Sequence, residues 1–176
     1  MRGWCFIGVG RVSGLFAVVM LAACVAQRPQ AQVDYVTAYY EALAAYERSD
    51  YGAALRMFKQ LAAEGDALSQ LYVGSMYQRG EGAAKDEVSA VHWYRRAAEQ
   101  GNVDAQVNLA EMYSTGSGVD RDTVHAYAWW SVAATLGEQS ALSSRSIIAQ
   151  HMSSQQIKEA DRLADEILKS LSTVMR

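Results

Sequence analysis

The apolar positions between residues 90 and 122 follow two helical stripes separated by Gly101. Within each stripe the apolar residues recur at i, i+4, i+7 and i+8, which is the spacing of one buried helix face. The stripe positions are Ala90, Tyr94, Ala97 and Ala98 in the first half, and Ala105, Leu109, Met112 and Tyr113 in the second. Gly101 lies where a left-handed residue commonly ends a helix. The pattern therefore predicts two short helices joined by a tight turn.

A copy of this pattern lies 36 residues upstream, and a half copy lies 36 residues downstream. Residues 54–86 and 90–122 share nine identities in 33 aligned positions. A helix pair that recurs with such a period is typical of a solenoid, in which neighbouring pairs stack side by side. We therefore predict an all-α solenoid of about eight helices. Its predicted units are 51–86, 87–122 and, as a partial copy, 123–151.

Glycines and tyrosines keep the register of the repeat. The positions that recur between units, to which we assign structural roles, are Gly65, Gly80, Gly82, Gly101, Gly116, Gly118 and Gly137, with Tyr77 and Tyr113. Glycines at fixed spacing mark requirements of the backbone, here helix ends and two tight Gly-x-Gly loops. Asp86 and Asp122 follow those loops, where the next helix needs a residue to cap its amino terminus.

A helix is predicted on each side of the units. The segment 34–50 is a leading helix with Tyr35, Tyr39, Ala42 and Tyr46 on one face, and Ser49 or Asp50 precedes the next helix as its cap. The segment 152–176 is a closing helix, in which Ser153 and Gln156 have the spacing of a capping box. Its apolar stripe is Ile157, Ala160, Leu163, Ala164, Ile167, Leu168 and Leu171. Such a helix would cover the end of the array.

The first 23 residues have the pattern of an export signal. Arg2 and Arg11 are their only charges, and a twelve-residue apolar run from Val12 to Ala23 follows. The run is too short to span a bilayer, which takes ~20 apolar residues. Residues 24–33 are then a short linker that contains the chain's one proline, Pro29.

The run ends in Leu-Ala-Ala-Cys, which resembles the lipobox of bacterial lipoproteins. The resemblance implies cleavage between Ala23 and Cys24, with lipid attached to Cys24. Val25 follows where that family would carry Asp for retention in the inner membrane. In a Gram-negative bacterium this implies the periplasmic side of the outer membrane. The alternatives are an inner-membrane lipoprotein or an ordinary signal peptide with a chance cysteine, which would give a secreted soluble protein.

The repeat itself also resembles a known family. Residues 90–122 read A-x-x-W-Y-x-x-A-A-x-x-G-x-x-x-A-x-x-x-L-x-x-x-Y-x-x-G-x-G-V-x-x-D, which is similar to the Sel-1-like repeat, a relative of the tetratricopeptide repeat. The first unit has Met57 and Ala83 where the pattern has Trp and Val, the second has Ala110 where Gly is usual, and the third departs after Gly137. The resemblance implies a scaffold for macromolecular assembly.

Charge and cysteine usage exclude several classes of partner and cofactor. Sixteen Lys and Arg against nineteen Asp and Glu give a net charge of −3, and loss of Arg2 and Arg11 would leave −5. Such a chain does not have the basic surplus of a nucleic-acid-binding protein. Cys5 would leave with the signal and Cys24 would carry lipid, so neither remains for a disulfide, a metal or a catalytic thiol.

No catalytic site is predicted, and the expected cofactors and metals are none. The three histidines are scattered, and a zinc site would need more ligands than His92 and His125 supply. Asp86 and Asp122 could be paired acids of a hydrolase, but helix capping explains both. The pair Trp129-Trp130 could stack sugars, but position 130 matches the core aromatics of the other units. No nucleophile elbow or phosphate-binding loop occurs in the sequence.

The polar positions that differ between units remain for a partner. In solenoids the first helix of each unit lines the binding groove. The aligned pairs are Arg56/His92, Lys59/Arg95 and Gln60/Arg96 on first helices, and Tyr72/Asn108 on second helices. From them we predict His92, Arg95, Arg96 and Asn108 as partner-binding residues.

The predicted function is a non-enzymatic scaffold or adaptor for protein–protein interaction, lipid-anchored in the bacterial cell envelope. The expected partners are envelope proteins and, through the lipid alone, the membrane; no nucleic acid and no small-molecule substrate are expected. The alternatives are an accessory protein for glycan or exopolysaccharide binding or export, and an envelope hydrolase.

Overall fold

The computed structural model describes residues 34–174, and every regular element in that range is a helix. Helix α1 covers residues 34–47. The others are α2 (Tyr51–Ala63), α3 (Ala67–Arg79), α4 (Glu87–Ala98), α5 (Val103–Thr115), α6 (Thr123–Thr135), α7 (Gln139–Ala149) and α8 (Ser154–Val174). The predicted signal, Cys24 and the linker lie outside the described residues. Among the described helices, none combines the length and the apolar content needed to cross a bilayer.

The helices pack in the order in which the chain forms them. From α2 to α7 each helix contacts the next, so that α3 packs between α2 and α4, and α5 packs between α4 and α6. This arrangement confirms the predicted all-α solenoid, with first helices α2, α4 and α6 and second helices α3, α5 and α7.

Short polar side chains begin the helices. The carboxylate of Asp86 accepts a hydrogen bond from the backbone N–H of Ser89 at 3.0 Å. Asp122 accepts bonds from the N–H groups of Val124 and His125. Each bond satisfies a donor that the first turn of a helix leaves without a partner. Asp50, Asp66 and Asn102 cap α2, α3 and α5 in the same way. The two caps predicted from the alignment are therefore confirmed.

The capping box of α8 is also present. The hydroxyl of Ser153 accepts from the N–H of Gln156 at 3.2 Å, and the side chain of Gln156 accepts from the N–H of Ser153 at 2.9 Å. Two donors at the helix start are thus satisfied reciprocally.

The aromatic positions of the first helices fill the core. Phe58, Tyr94 and Trp130 lie 36 residues apart and are 0%, 1% and 7% exposed. Burial raises the pKa of Tyr94 to about 12. Around Phe58 the core is mainly aromatic: the ring of Tyr72 stacks on Phe58 with centroids 4.6 Å apart, and Tyr39 of α1 contacts both rings. Tyr72 therefore belongs to the packing of the first unit.

Each Gly-x-Gly loop packs against the start of the first helix of its own unit. All seven repeat glycines have positive φ. At Gly118, where φ is +69°, a Cβ atom would lie 2.2 Å from the carbonyl oxygen of Glu87, the first residue of α4. At Gly82 a Cβ atom would lie equally close to the carbonyl oxygen of Tyr51, the first residue of α2. These loops therefore contact backbone directly and leave no space for a side chain.

The closing helix α8 packs along α6. Ala164 and Leu171 of α8 form a buried cluster with Ala128 and Val132 of α6. Because α5 and α7 also pack on α6, this helix is enclosed, and eight of its thirteen residues are buried. The amphipathic stripe of α8 thus covers the third unit on the side of its first helix.

Candidate functional site: the first-helix face

Six polar side chains occupy three equivalent positions of the repeat on α2 and α4, and together we call them the first-helix face. None of them belongs to a buried cluster of the described residues. The residues are Arg56, Lys59 and Gln60 on α2, and His92, Arg95 and Arg96 on α4. The three on α2 and His92 are exposed, whereas Arg95 and Arg96 are half-buried. Three of the four predicted partner-binding residues therefore lie on this face.

In each of the first two units, one cation is oriented by a tyrosine of the second helix. The guanidinium of Arg95 donates to the hydroxyl of Tyr113 at 2.7 Å, and the ammonium of Lys59 donates to the hydroxyl of Tyr77 at 3.2 Å. Each charge also lies near the ring, 5.9 Å and 5.8 Å from its centroid. The bonds hold the two cations in matching places, 36 residues apart.

The other two polar residues of the first-helix face on α4, His92 and Arg96, contact the ring of Trp93. The guanidinium of Arg96 lies 4.9 Å from the centroid of the indole ring, within the range of a cation–π contact. The ring of His92 meets Trp93 edge-on at 5.6 Å. Asn108 lies half-buried on α5, and within the described residues it makes no hydrogen bond or ring contact with the other three predicted residues.

The cations of the face lack carboxylate partners. Within the described part of the chain, Arg56, Lys59, Arg95 and Arg96 form no salt bridge. Elsewhere on the surface basic residues do pair, as Arg162 does with Glu159 and Glu166. The first-helix face therefore carries cations that form no salt bridge within the described chain, although the whole sequence is acidic.

In the third unit the same three positions are small or apolar. Ala128 aligns with Arg56 and His92, Ser131 with Lys59 and Arg95, and Val132 with Gln60 and Arg96. Ala128 and Val132 are 0% exposed, because α8 lies on them, and Ser131 is 7% exposed. The surface that is charged in the first two units is thus covered by a helix in the third.

An open cleft borders this covered region. Its volume is about 540 Å³, and it lies between the carboxyl end of α4, the middle of α6 and the last part of α8. Its lining residues are Arg96, Glu99, Gln100, Trp129, Ile167 and Ser170. The cleft therefore lies between one cation of α4, Arg96, and apolar groups supplied by α6 and α8.

The residues that could have formed an active site have structural roles. Hydrogen bonds from the hydroxyl and backbone N–H of Ser89 hold the pKa of Asp86 below its usual value. Burial raises the pKa of Asp122, but hydrogen bonds from the backbone and ring of His125 outweigh burial and leave it lowered. The ring of His125, 2.7 Å from Asp122, stacks on Tyr113. Both carboxylates therefore act as ionised helix caps.

The described residues show no cluster of metal ligands, and Trp129 and Trp130 do not form a sugar-stacking platform. No three side chains among His, Cys, Asp and Glu of residues 34–174 converge as metal ligands would. Trp129 and Trp130 are 6% and 7% exposed, so neither offers a free ring face of useful size. Both pack in the core beside Ala126 and Ala133.

Two features were not recognised from the sequence: the tyrosine hydroxyls that orient the cations of the first-helix face, and the covering of α6 by α8. The alignment identified Tyr77 and Tyr113 as recurring residues, yet it gave no indication that their hydroxyls orient Lys59 and Arg95. The change from charged to apolar residues at Ala128 and Val132 was visible in the same alignment. That change was the available signal that a helix covers α6.

Comparison with protein families matches the chain to one repeat. A family model described as the Sel1 repeat matches residues 35–66, 67–102 and 103–138. The second and third matches begin 36 residues apart, at the first residues of α3 and α5. The family model thus divides the same period at the second helix of each pair, whereas our units begin at the first.

Solved structures contain the same fold. The chain is similar to c5321, a protective antigen of uropathogenic Escherichia coli with an SLR fold, at 29% identity and a TM-score of 0.74 over 82% of this chain and 33% of that one. It is similar to a Sel1 repeat protein of Oxalobacter formigenes at 34% identity and a TM-score of 0.51, over 52% of this chain and 26% of that one. The chain thus spans about a third and about a quarter of these two proteins.

A more distant similarity supports the fold alone. Cysteine rich protein B of Helicobacter pylori aligns at 18% identity with a TM-score of 0.51, over 62% of this chain and 93% of that one. Among proteins with curated functions, none matches this chain. Sel1 repeats are non-enzymatic scaffold modules that generally mediate protein–protein interaction. Because the three matched segments cover more than half of its residues, the chain belongs to the Sel1 repeat family.

Proposed function

We propose that this protein is a non-enzymatic adaptor of the bacterial cell envelope that binds a partner protein through the first-helix face. The observation that supports this proposal most directly is the set of unpaired cations Arg56, Lys59, Arg95 and Arg96 at repeating positions of α2 and α4. Two of them are held in place by tyrosine hydroxyls, so the face is organised before a partner arrives. Such preorganisation lowers the entropic cost of binding.

The proposal includes a lipid anchor at Cys24. The supporting evidence is the sequence alone: a basic start, an apolar run and Leu-Ala-Ala-Cys at its end. Several acyl chains hold a protein stably at a membrane, whereas one binds marginally. The nine residues from Val25 to Val33 reach at most ~30 Å. The folded body of the adaptor would therefore lie close to the membrane, on the periplasmic side of the outer membrane.

A protein partner fits the face better than a glycan does. Sugar recognition commonly uses an exposed aromatic ring face, and the two tryptophans beside the first-helix face do not offer one. Arg96 lies over Trp93, and Trp129 is only 6% exposed. A hydrolase is disfavoured because the ionised carboxylates of Asp86 and Asp122 are committed to capping α4 and α6.

Photo-crosslinking in the producing cell tests the adaptor function. A photoreactive residue would replace Gln60 on the face, in the full-length chain, and for comparison Ile147 of α7, which is 63% exposed. We expect discrete protein adducts from position 60 that are absent from position 147. The proposal fails if position 60 captures no protein, or if only polysaccharide is recovered with the chain.

A further inference from the structure

We propose that the first-helix face docks an acidic amphipathic helix of the partner, which lies on α2 and α4 beside α8. This inference rests on the proposed adaptor function and adds the secondary structure and the charge of the partner segment. Three observations support it. A helix, α8, already lies on the equivalent surface of the third unit, the charge at the three repeat positions changes between units, and a cleft separates α8 from α4.

In the third unit a helix of the chain itself already lies on the first helix. Here α8 lies on α6 and buries Ala128 and Val132 with its own Ala164 and Leu171. The apolar residues of α8 recur at helical spacing and place one face against α6. The repeat therefore receives an amphipathic helix at these positions in one unit, and equivalent backbone surfaces exist on α4 and α2. A helix laid in a groove is a recurring mode of recognition between proteins.

The first two units differ from the third in charge. Where α6 has Ala128 and Val132, α4 has His92 and Arg96, so an apolar helix face like that of α8 would bury an unpaired guanidinium. Burying such a charge is costly unless a hydrogen-bonded counter-charge accompanies it. Carboxylates provide that counter-charge, because they accept two parallel bonds from the planar fork of an arginine. The occupant of α4 and α2 should therefore carry Glu or Asp beside its apolar stripe.

The cleft next to α8 accommodates the apolar side of such a helix. Ile167 and the small exposed part of Trp129 form its apolar wall, and Arg96 forms the opposite side. Its volume of about 540 Å³ lies within the ~300–1,000 Å³ of binding clefts. Glu99 is the one carboxylate among the lining residues and lies just after α4. The acidic side chains of the partner should therefore face Arg56 and Arg96 rather than Glu99.

Designed peptides test the inference with the purified full-length protein. Two 18-residue peptides would share the apolar stripe of α8, one with Glu and the other with Lys at every flanking position, and binding would be followed by fluorescence anisotropy in one detergent. We expect the Glu peptide to bind at least tenfold more tightly than the Lys peptide. The double variant Arg56→Glu/Arg96→Glu should lose or reverse this preference.

A matched variant distinguishes the effect of the first-helix face on peptide binding from the effect of net charge. Lys158→Glu/Lys169→Glu changes two exposed cations of α8 and shifts the charge by the same amount, so the preference should persist in it. Equal binding of the two peptides, or a preference that survives Arg56→Glu/Arg96→Glu, would overturn the proposal. Equal binding of a proline-interrupted peptide of the same acidic composition would overturn its helical part.

The two proposals can fail separately. If position 60 still yields protein adducts in cells while neither peptide binds, the adaptor function stands and the acidic helix is excluded. If a sulfated oligosaccharide binds in an arginine-dependent way, the peptides do not, and cells yield no protein adducts, both proposals are excluded in favour of a glycan ligand.

Discussion

The side-chain amide of Gln100, in the turn after α4, donates a hydrogen bond of 2.7 Å to Oε1 of Gln70 on α3. Gln70 is buried, and its own amide donates to the carbonyl oxygen of Ala62 at 3.1 Å. In the next unit Gln106 makes the equivalent bond to Ala98 at 3.2 Å. Its Oε1, however, has no partner among the described residues, because the position that matches Gln100 is Leu136.

Replacing Leu136 by Gln should stabilise the protein. The new amide can donate to the unpaired Oε1 of Gln106, and satisfying a buried acceptor contributes ~1 kcal/mol. The free energy of unfolding from urea titration measures the gain. Leu136→Ala is the control, because it removes the same half-exposed apolar side chain without adding a donor. If Leu136→Gln is no more stable than Leu136→Ala, the two glutamine sites are not equivalent.

Two glycine substitutions should lower the free energy of unfolding by different amounts, although both residues have positive φ. Gly137→Ala meets no atom within 4 Å and should cost only the left-handed backbone, ~1–2 kcal/mol. Gly118→Ala places its Cβ 2.2 Å from the carbonyl oxygen of Glu87. It should cost a further ~1–3 kcal/mol, because the loop must move away from α4. Urea unfolding of the two variants measures the difference, and equal costs would contradict the close contact.

Much of the fold followed from local chemistry that recurs in the sequence. The stripes of α4 and α5 are buried as their spacing required, and Asp86 and Asp122 cap the helices that follow their loops. These features depend on residues close together in the chain, so each can be recognised from one unit and checked against another. The predicted caps and the predicted stripes agree with each other, because both recur with the 36-residue period.

Contacts between distant elements were harder to predict. The stripe of α8 indicated a buried face, but many surfaces of a solenoid could bury it, and only the apolar Ala128 and Val132 of α6 marked the one used. The bond between Arg95 and Tyr113 joins α4 to α5 through side chains whose directions depend on how the two helices pack. Spacing along one helix does not contain that information.

The stability of the protein should depend on Asp122 in acid. Because the pKa of this carboxyl is lowered by folding, its contribution is fully present above its ordinary value of 3.8 and is lost as the pH falls through the lower folded value. Asp122→Asn keeps an acceptor that can cap α6 but cannot be ionised. We expect its deficit at pH 7 to shrink as the pH is lowered to 3 in urea titrations. A constant deficit at both pH values would show that the charge of Asp122 is unimportant.

Substitution of Cys24 should remove the protein from membranes. If the Leu-Ala-Ala-Cys motif directs lipidation, Cys24→Ala cannot receive lipid, and the protein should be soluble after cell fractionation or should keep its signal. Labelling with a radioactive fatty acid measures the modification directly. Cys5→Ala is the matched control, because this residue would leave with the signal. Undiminished labelling of Cys24→Ala would exclude the anchor.

Exchanging the residues at two equivalent positions should destabilise the third unit far more than the second. Val132 is 0% exposed under α8, whereas Arg96 at the same repeat position is half-buried and makes no salt bridge within the described chain. Val132→Arg would place a charge against Leu171 with no carboxylate to pair with it in that apolar cluster. The cost should be on the order of 3 kcal/mol, and α8 should detach before the rest unfolds.

Urea unfolding measures that cost, and limited trypsin digestion reports the detachment, because α8 carries Lys158, Arg162 and Lys169 as cleavage sites. Arg96→Val is the matched control and should cost only ~1 kcal/mol or less, because it removes the cation–π contact with Trp93 and buries no new charge. If Val132→Arg leaves both stability and digestion unchanged, α8 does not depend on this surface. The covered third unit would then no longer be a precedent for a helix on α4.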